Sequence, residues 1–154
     1  MRSSGRRGDG ALLVAVVLTV VACMSGPDGR LVEAERRIGA SVGGPAPEAI
    51  ALIELGPPRW DRAVLFGPCE FSDVIRSELG VPWSGAESIE RTAFCGDIDL
   101  VRYLIVFVDV DAVTGWLLVN GDRDLPQATV DVETPLHLMR DATLTIDGSS
   151  IRVR

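Results

Sequence analysis

The chain has 154 residues, 47% of them hydrophobic, with 22 acidic and 15 basic side chains and a formal charge of −7. That length fits one domain and is too short for two separately cored ones; the aliphatic content excludes wholesale disorder, and the acidic balance speaks against a nucleic-acid-binding surface. Every basic residue is Arg and none is Lys, a bias that reads as genome base composition rather than chemistry.

The most specific signal lies in the first 23 residues. Arg2, Arg6 and Arg7 precede a stretch from Ala11 to Ala22 that is apolar except for Thr19. Twelve helical residues reach only about 18 Å, short of the ~30 Å hydrocarbon core, so the stretch reads as the h-region of a signal peptide rather than a membrane span. It ends in Val20-Val21-Ala22-Cys23, which resembles the bacterial lipobox. The expectation is a signal peptide over 1–22, cleavage before Cys23, and attachment of a diacylglycerol to its thiol. Two acyl chains, palmitate among them, would then hold the exported protein stably at the cell membrane or outer membrane, where one would be marginal. Met24 stands where many lipoproteins retained at the inner membrane carry Asp.

Residues 24–47 are rich in Gly, Ser, Pro and charge, as in Ser25-Gly26-Pro27-Asp28-Gly29 and Ser41-Val42-Gly43-Gly44-Pro45. With the lipidated Cys23 they read as a tether over 23–47, holding a short helical turn at Leu31 to Ile38. A single packed domain is expected over 48–154. The run from Ala49 to Leu55 reads as a strand stopped by Gly56-Pro57-Pro58, and Arg62 to Phe66 as a second strand bounded by Gly67-Pro68. Phe71, Val74, Ile75 and Leu79 share one face of a short helix, with Gly80 at the left-handed C-terminal cap and Pro82 beyond it.

Leu100 to Val108 is a β-branched and aromatic run expected as a central strand. Asp109 to Ala112 turns it, Val113 to Val119 returns, and Asn120-Gly121 closes the pair. Leu125 to Arg140 fits neither period. Ala142, Leu144 and Ile146 alternate with Thr143, Thr145 and Asp147 before a turn at Gly148 to Ser150 and a final strand Ile151 to Arg154. One short helix packed on a mainly antiparallel sheet of about five or six strands makes the expected fold α+β.

Besides Cys23 the chain has Cys69 and Cys95, an even pair in an exported setting, and a disulfide between them is expected. It would contribute roughly 3.5 kcal/mol on the chain-entropy model. The rival readings are a metal site and a catalytic thiol. A metal site needs more soft ligands than two distant Cys and the lone His137 offer.

At Trp60-Asp61-Arg62 through Phe66-Gly67-Pro68, then Ile75 and Leu79-Gly80, the chain resembles a family of small bacterial lipoproteins and exported proteins of uncharacterised function. Their pattern is a Trp-Asp, a hydrophobic strand, a Gly-Pro, a short helix ending Leu-Gly, and a strand pair. The resemblance covers roughly residues 48 to 150. An aromatic usually follows the Pro, where Cys69 stands here, which implies a local disulfide in place of aromatic packing. A fold-level similarity is to SmpA/OmlA-type small outer-membrane lipoproteins, which carry a short helix ending Leu-Gly before a Pro, as in Leu79-Gly80-Val81-Pro82. Their two-helix start is not evident in this chain, so the similarity carries fold and not function.

Groups that could carry chemistry are few. There is no Gly-x-Ser-x-Gly elbow, no His-Glu-x-x-His helix and no phosphate-binding Gly loop, so no catalytic residue, metal or cofactor is assigned. His137, between Leu136 and Leu138, reads as a half-buried structural His rather than a general base. The pairs Asp97/Asp99, Asp109/Asp111 and Asp122/Asp124 lack the Gly and the terminal Glu of a calcium loop and read as turn-flanking carboxylates. Trp60, Trp83 and Trp116 fit core packing, with a partner or carbohydrate surface as the functional alternative; Asp61 would accept backbone hydrogen bonds at the strand start.

These features favour a lipid-anchored, non-catalytic protein-binding or scaffolding module of the cell envelope, partnered by another envelope protein and not by nucleic acid. The alternatives are a small-ligand-binding or enzymatic domain using scattered carboxylates and Trp residues, and an inhibitor of an exported enzyme that projects a rigid loop near the disulfide. A deep pocket with His137 beside a carboxylate favours an enzyme; a shallow apolar patch or open strand edge favours the module.

Overall fold

A computed structural model of the chain describes residues 29–89, 101–120 and 124–154. In order, the elements are α1 (Gly29–Ser41), β1 (Glu48–Ala51), α2 (Leu52–Leu55), β2 (Arg62–Phe66), α3 (Ser72–Leu79) and α4 (Ala86–Ile89). They are followed by β3 (Tyr103–Asp109), β4 (Ala112–Val119), β5 (Thr129–Val130), β6 (Leu136–Met139), β7 (Thr143–Asp147) and β8 (Ser150–Val153). The fold is α+β and mainly antiparallel. Its strands are divided between two four-stranded sheets, ordered β4-β3-β2-β6 and β1-β7-β8-β5, and among the described residues β5 against β8 is the one parallel pairing.

The first sheet is buried on both faces, which explains why β2 and β3 are nearly unbroken apolar runs. Successive side chains in a strand point to opposite faces. Ala63 and Leu65 of β2, with Tyr103, Ile105 and Phe107 of β3, enter the principal core between the two sheets. Val64, Phe66, Leu104, Val106 and Val108 enter a second core under α3 and α4. The second sheet is one-sided: Leu144, Ile146 and Ile151 point into the principal core, while Thr143 and Thr145 are half-buried and Arg152 is exposed.

The bounds expected for β2 hold, as does the helix before Gly80, which has φ 65° and returns its N–H to the Arg76 carbonyl at 3.1 Å. Arg62 completes that helix end by donating to the Leu79 carbonyl at 2.8 Å. Between β3 and β4 the chain turns at Val110 and Asp111, close to the expected place. Asn120, at φ 64°, closes β4 by donating to the carbonyls of Val101 and Ala128 and accepting the Ala128 N–H at 2.8 Å.

Three expectations are corrected. First, much of the segment read as a tether is α1, whose Leu31, Ala34 and Ile38 lie on one face and are buried in the principal core together with Val42. The packed part of the chain therefore includes residues from Gly29 onward rather than starting at Glu48. Second, the strand expected from Ala49 to Leu55 ends at Ala51, and α2 then sends Leu52 and Leu55, one helical turn apart, into the same core. Third, the unassigned stretch Leu125 to Arg140 supplies β5 and β6, two and four residues long. Leu100 and Gly121, used to bound the central hairpin, lie outside the described residues.

If α1 is part of the domain, Ile38→Ala removes a side chain that is only 1% exposed and costs about 2–5 kcal/mol. A urea unfolding midpoint reads the loss directly; a tether residue would leave the midpoint unchanged.

Candidate functional site

The two edges of the sheet β4-β3-β2-β6 are treated differently. A strand edge presents unpaired backbone N–H and C=O groups and invites another chain to pair with it. At the β4 edge α1 lies alongside: Leu31 packs on Gly115, where a Cβ would come within 2.8 Å of its methyl. Three residues on, the Leu118 N–H donates to the Glu35 carboxylate at 2.6 Å. The backbone of that edge is thus met by a helix side chain instead of a strand.

At the other end no strand lies beyond β6 among the described residues. A groove of about 340 Å³ follows it, walled by Leu136–Met139 on one side and by Asp141, Ala142, Val153 and Arg154 on the other. It runs between the open edge of one sheet and the β7–β8 hairpin of the other. Its floor is apolar, through Leu138 and Ala142, and Met139 stands 63% exposed at its lip.

His137 belongs to this edge. It pairs with Val64 across β2 and so points to the α3 side, where its Nε2 lies 3.1 Å from Glu78 Oε2. Its side chain is 54% exposed, which corrects the expected half-burial: an edge strand leaves its α3-side residues uncovered. The partner is a carboxylate and not a hydroxyl or thiol, and the pair sits on an open rim instead of in a deep pocket.

The three Trp residues do not share a surface. Trp60 is 1% exposed in the principal core, edge-on to Phe107 with ring centroids 5.1 Å apart. The Arg140 guanidinium lies 5.4 Å above its ring and donates to the Trp60 carbonyl at 2.9 Å. Trp83 and Trp116 are half-buried against the second core, on the opposite face of the sheet. A partner surface containing all three is therefore excluded, because Trp60 is buried in the principal core while Trp83 and Trp116 lie against the second. Asp61 plays the part expected of it: its N–H donates to the Val108 carbonyl at 2.9 Å and its carboxylate accepts the Val110 N–H at 3.3 Å.

Cys69 is exposed, at φ 59°, while Cys23 and Cys95 lie outside the described residues. Asp109 and Asp111 flank the β3–β4 turn; Asp97, Asp99 and Asp122 also lie outside. Among the described residues no group of three or more His, Cys, Asp or Glu is placed to hold a metal ion, and no helix is long and apolar enough to cross a membrane. A second groove of about 360 Å³ lies between α1 and α2, beside Arg30, Arg37 and Glu54. Its charges are matched: Arg37 donates to Glu54 at 2.8 Å and lies 3.6 Å from Glu48. Glu33 also lines this groove, and a hydrogen bond from Arg36 holds its carboxyl below its ordinary value. Comparison of the chain with protein-family models, with curated proteins and with solved structures gives no match.

Sequence reasoning missed the β6 edge because three of its four residues are apolar and four positions are too few to show a period. Its partner edge offers a direct test. Glu35→Ala leaves the Leu118 N–H without its acceptor, costing roughly 1–3 kcal/mol, and uncovers part of the β4 backbone. Analytical ultracentrifugation should show concentration-dependent association in the variant and none in the parent.

Proposed function

We propose that the protein is an exported, lipid-anchored, non-catalytic module of the bacterial envelope that binds an extended segment of another envelope protein along β6. The observation that carries this reading is the contrast between the edges: β4 is capped by Glu35 of α1, whereas β6 opens onto a groove. Strand addition draws affinity from main-chain hydrogen bonds and specificity from pockets for alternate side chains. Leu136 and Val153 would meet apolar side chains of the segment, and Asp141 and Arg154 polar ones.

The size of the edge selects the occupant. Four residues span about 13 Å, which offers far less than the ~1,200 Å² of a stable protein pair. A short peptide segment fits this edge, and a second globular copy does not. Affinity would be modest, and anchoring both proteins to one membrane raises their effective concentration. The anchor reading rests on the basic n-region, the apolar stretch from Ala11 to Ala22 and the lipobox ending at Cys23. Because α1 begins at Gly29, only six residues after Cys23, the leash reaches at most about 21 Å. The domain would ride close to the bilayer.

Two experiments test the reading. Cells fed a palmitate analogue should label the wild-type protein and not Cys23→Ser; absence of label overturns the anchor. A photoreactive residue at Met139 should give an adduct with an envelope protein that is lost in Cys23→Ser, whereas one at Thr145, on the outer face of the other sheet, should not. Labelled protein without a Met139 adduct overturns the β6 site. The proposed Cys69–Cys95 disulfide carries its own prediction: iodoacetamide should alkylate both Cys in the unfolded protein only after reduction, as read by mass spectrometry.

A further inference from the structure

The β3–β4 turn carries the most exposed large apolar side chain among the described residues, Val110 at 75%. Its φ is 54°, in the left-handed region where a branched side chain crowds its own backbone and Gly, Asn or Asp is far better accommodated. Val110 therefore gives the fold neither burial nor a relaxed turn. A strained and exposed position of this kind points to a task outside folding.

The turn is nevertheless built to hold it. The Val110 N–H is taken by Asp61, whose own N–H is bonded to Val108, and Asp61 follows the buried Trp60, packed edge-on to Phe107 of β3. The pairing of β3 and β4 slips between Phe107 and Val108, so that β4 carries an extra residue; such a bulge twists the strand and re-aims its tip. The tip is thus fixed from the core and presents one branched apolar side chain between Asp109 and Asp111.

Its place in the molecule narrows the partner. Leu31 meets Gly115 and Glu35 meets Leu118, so α1 runs in the same direction as β4 and its Gly29 end lies toward this turn. On the anchored reading above, on which this step rests, the tip is at the membrane-proximal end of the domain. Asp61, Asp109 and Asp111 would be repelled by an anionic lipid surface, which leaves a protein at that surface. We propose that the β3–β4 turn is a docking knob: Val110 enters an apolar socket with a basic rim on a membrane protein held beside the lipid anchor.

The test uses the full-length protein in cells, with a photoreactive residue at Ala112. The expected result is an adduct with one protein of the membrane fraction, reduced at least tenfold by Val110→Gly, kept by Val110→Ile, and weakened in isolated membranes by high salt and by Asp109→Asn. Purified Val110→Gly should unfold at the same temperature as the parent or higher, since the turn loses its strain. A fall in that temperature, an adduct indifferent to Val110→Gly, or an adduct to lipid overturns the knob. Palmitate labelling of the same samples separates the two readings. Labelled protein without an Ala112 adduct overturns the knob alone. Unlabelled protein that still forms the adduct overturns the membrane-proximal placement, and unlabelled protein without it overturns both.

Discussion

Burial of one sheet on both faces is the constraint on which the rest of this molecule depends. With β2 and β3 supplying side chains to two cores at once, every position in their interiors is committed to packing. Neither face of those central strands is open to a ligand, so recognition of the kind proposed falls to the rims of the sheet: the edge strands and the turns joining them. The space above and below the central strands is already filled by α3 and α4 on one side and by α1 and the second sheet on the other.

The two rims are then set apart by α1. Its buried stripe fills the principal core while Glu35, on the flank of that stripe, reaches the backbone of β4. One helix thus performs two tasks: it completes the core and satisfies an edge that would otherwise seek a strand. Among the described residues β6 has no such cover, and its four-residue length limits uncontrolled pairing without preventing pairing with one short segment. A covered edge and an open edge on the same sheet give the domain a direction, with the helix nearest the proposed lipid anchor on one side and the open strand on the other.

How much of this was legible in the sequence follows from the range of the forces involved. β2, α3 with its Gly80 cap, β4 and the β7–β8 hairpin are specified by local periods and stop signals that lie within a few residues of one another, and they stand close to where the pattern puts them; β3 begins at Tyr103, later than the apolar run from Leu100 suggests. The helical turn expected at Leu31 to Ile38 lies within α1, but its length and burial were obscured because Leu31, Ala34 and Ile38 are interleaved with Arg, Glu and Gly and flanked by loop-like residues; what extends the helix is the core it packs against. Leu52 and Leu55 read equally well as strand or helix, and the register of β1 against β7 ends that strand at Ala51. The partition into two sheets depends on pairings such as β2 with β6, some seventy residues apart, for which local sequence carries no signal. For the candidate site, His137 was visible and its exposure was not, since exposure depends on β6 being an edge.

The Trp60-Asp61 pair shows how these levels join. As a sequence it is a two-residue motif before a strand; in the fold its members face different environments. Trp60 is locked between Phe107, Arg140 and Gly56, where a Cβ would lie 2.5 Å from its indole nitrogen. That packing fixes the backbone at the entry to β2, and Asp61, the next residue, carries the fixed position outward to the Val108 carbonyl and the Val110 N–H. The conformation of the turn at Val110 is thereby tied to a buried aromatic of the interior. A loosened indole would blur the turn even though the two are separated along the chain by some fifty residues. Conversely, a turn whose only purpose was to reverse the chain would need no such support: Gly or Asn at position 110 would make it without strain. The brace and the strain it holds are best understood together, as the means by which a small domain presents one apolar side chain in one orientation.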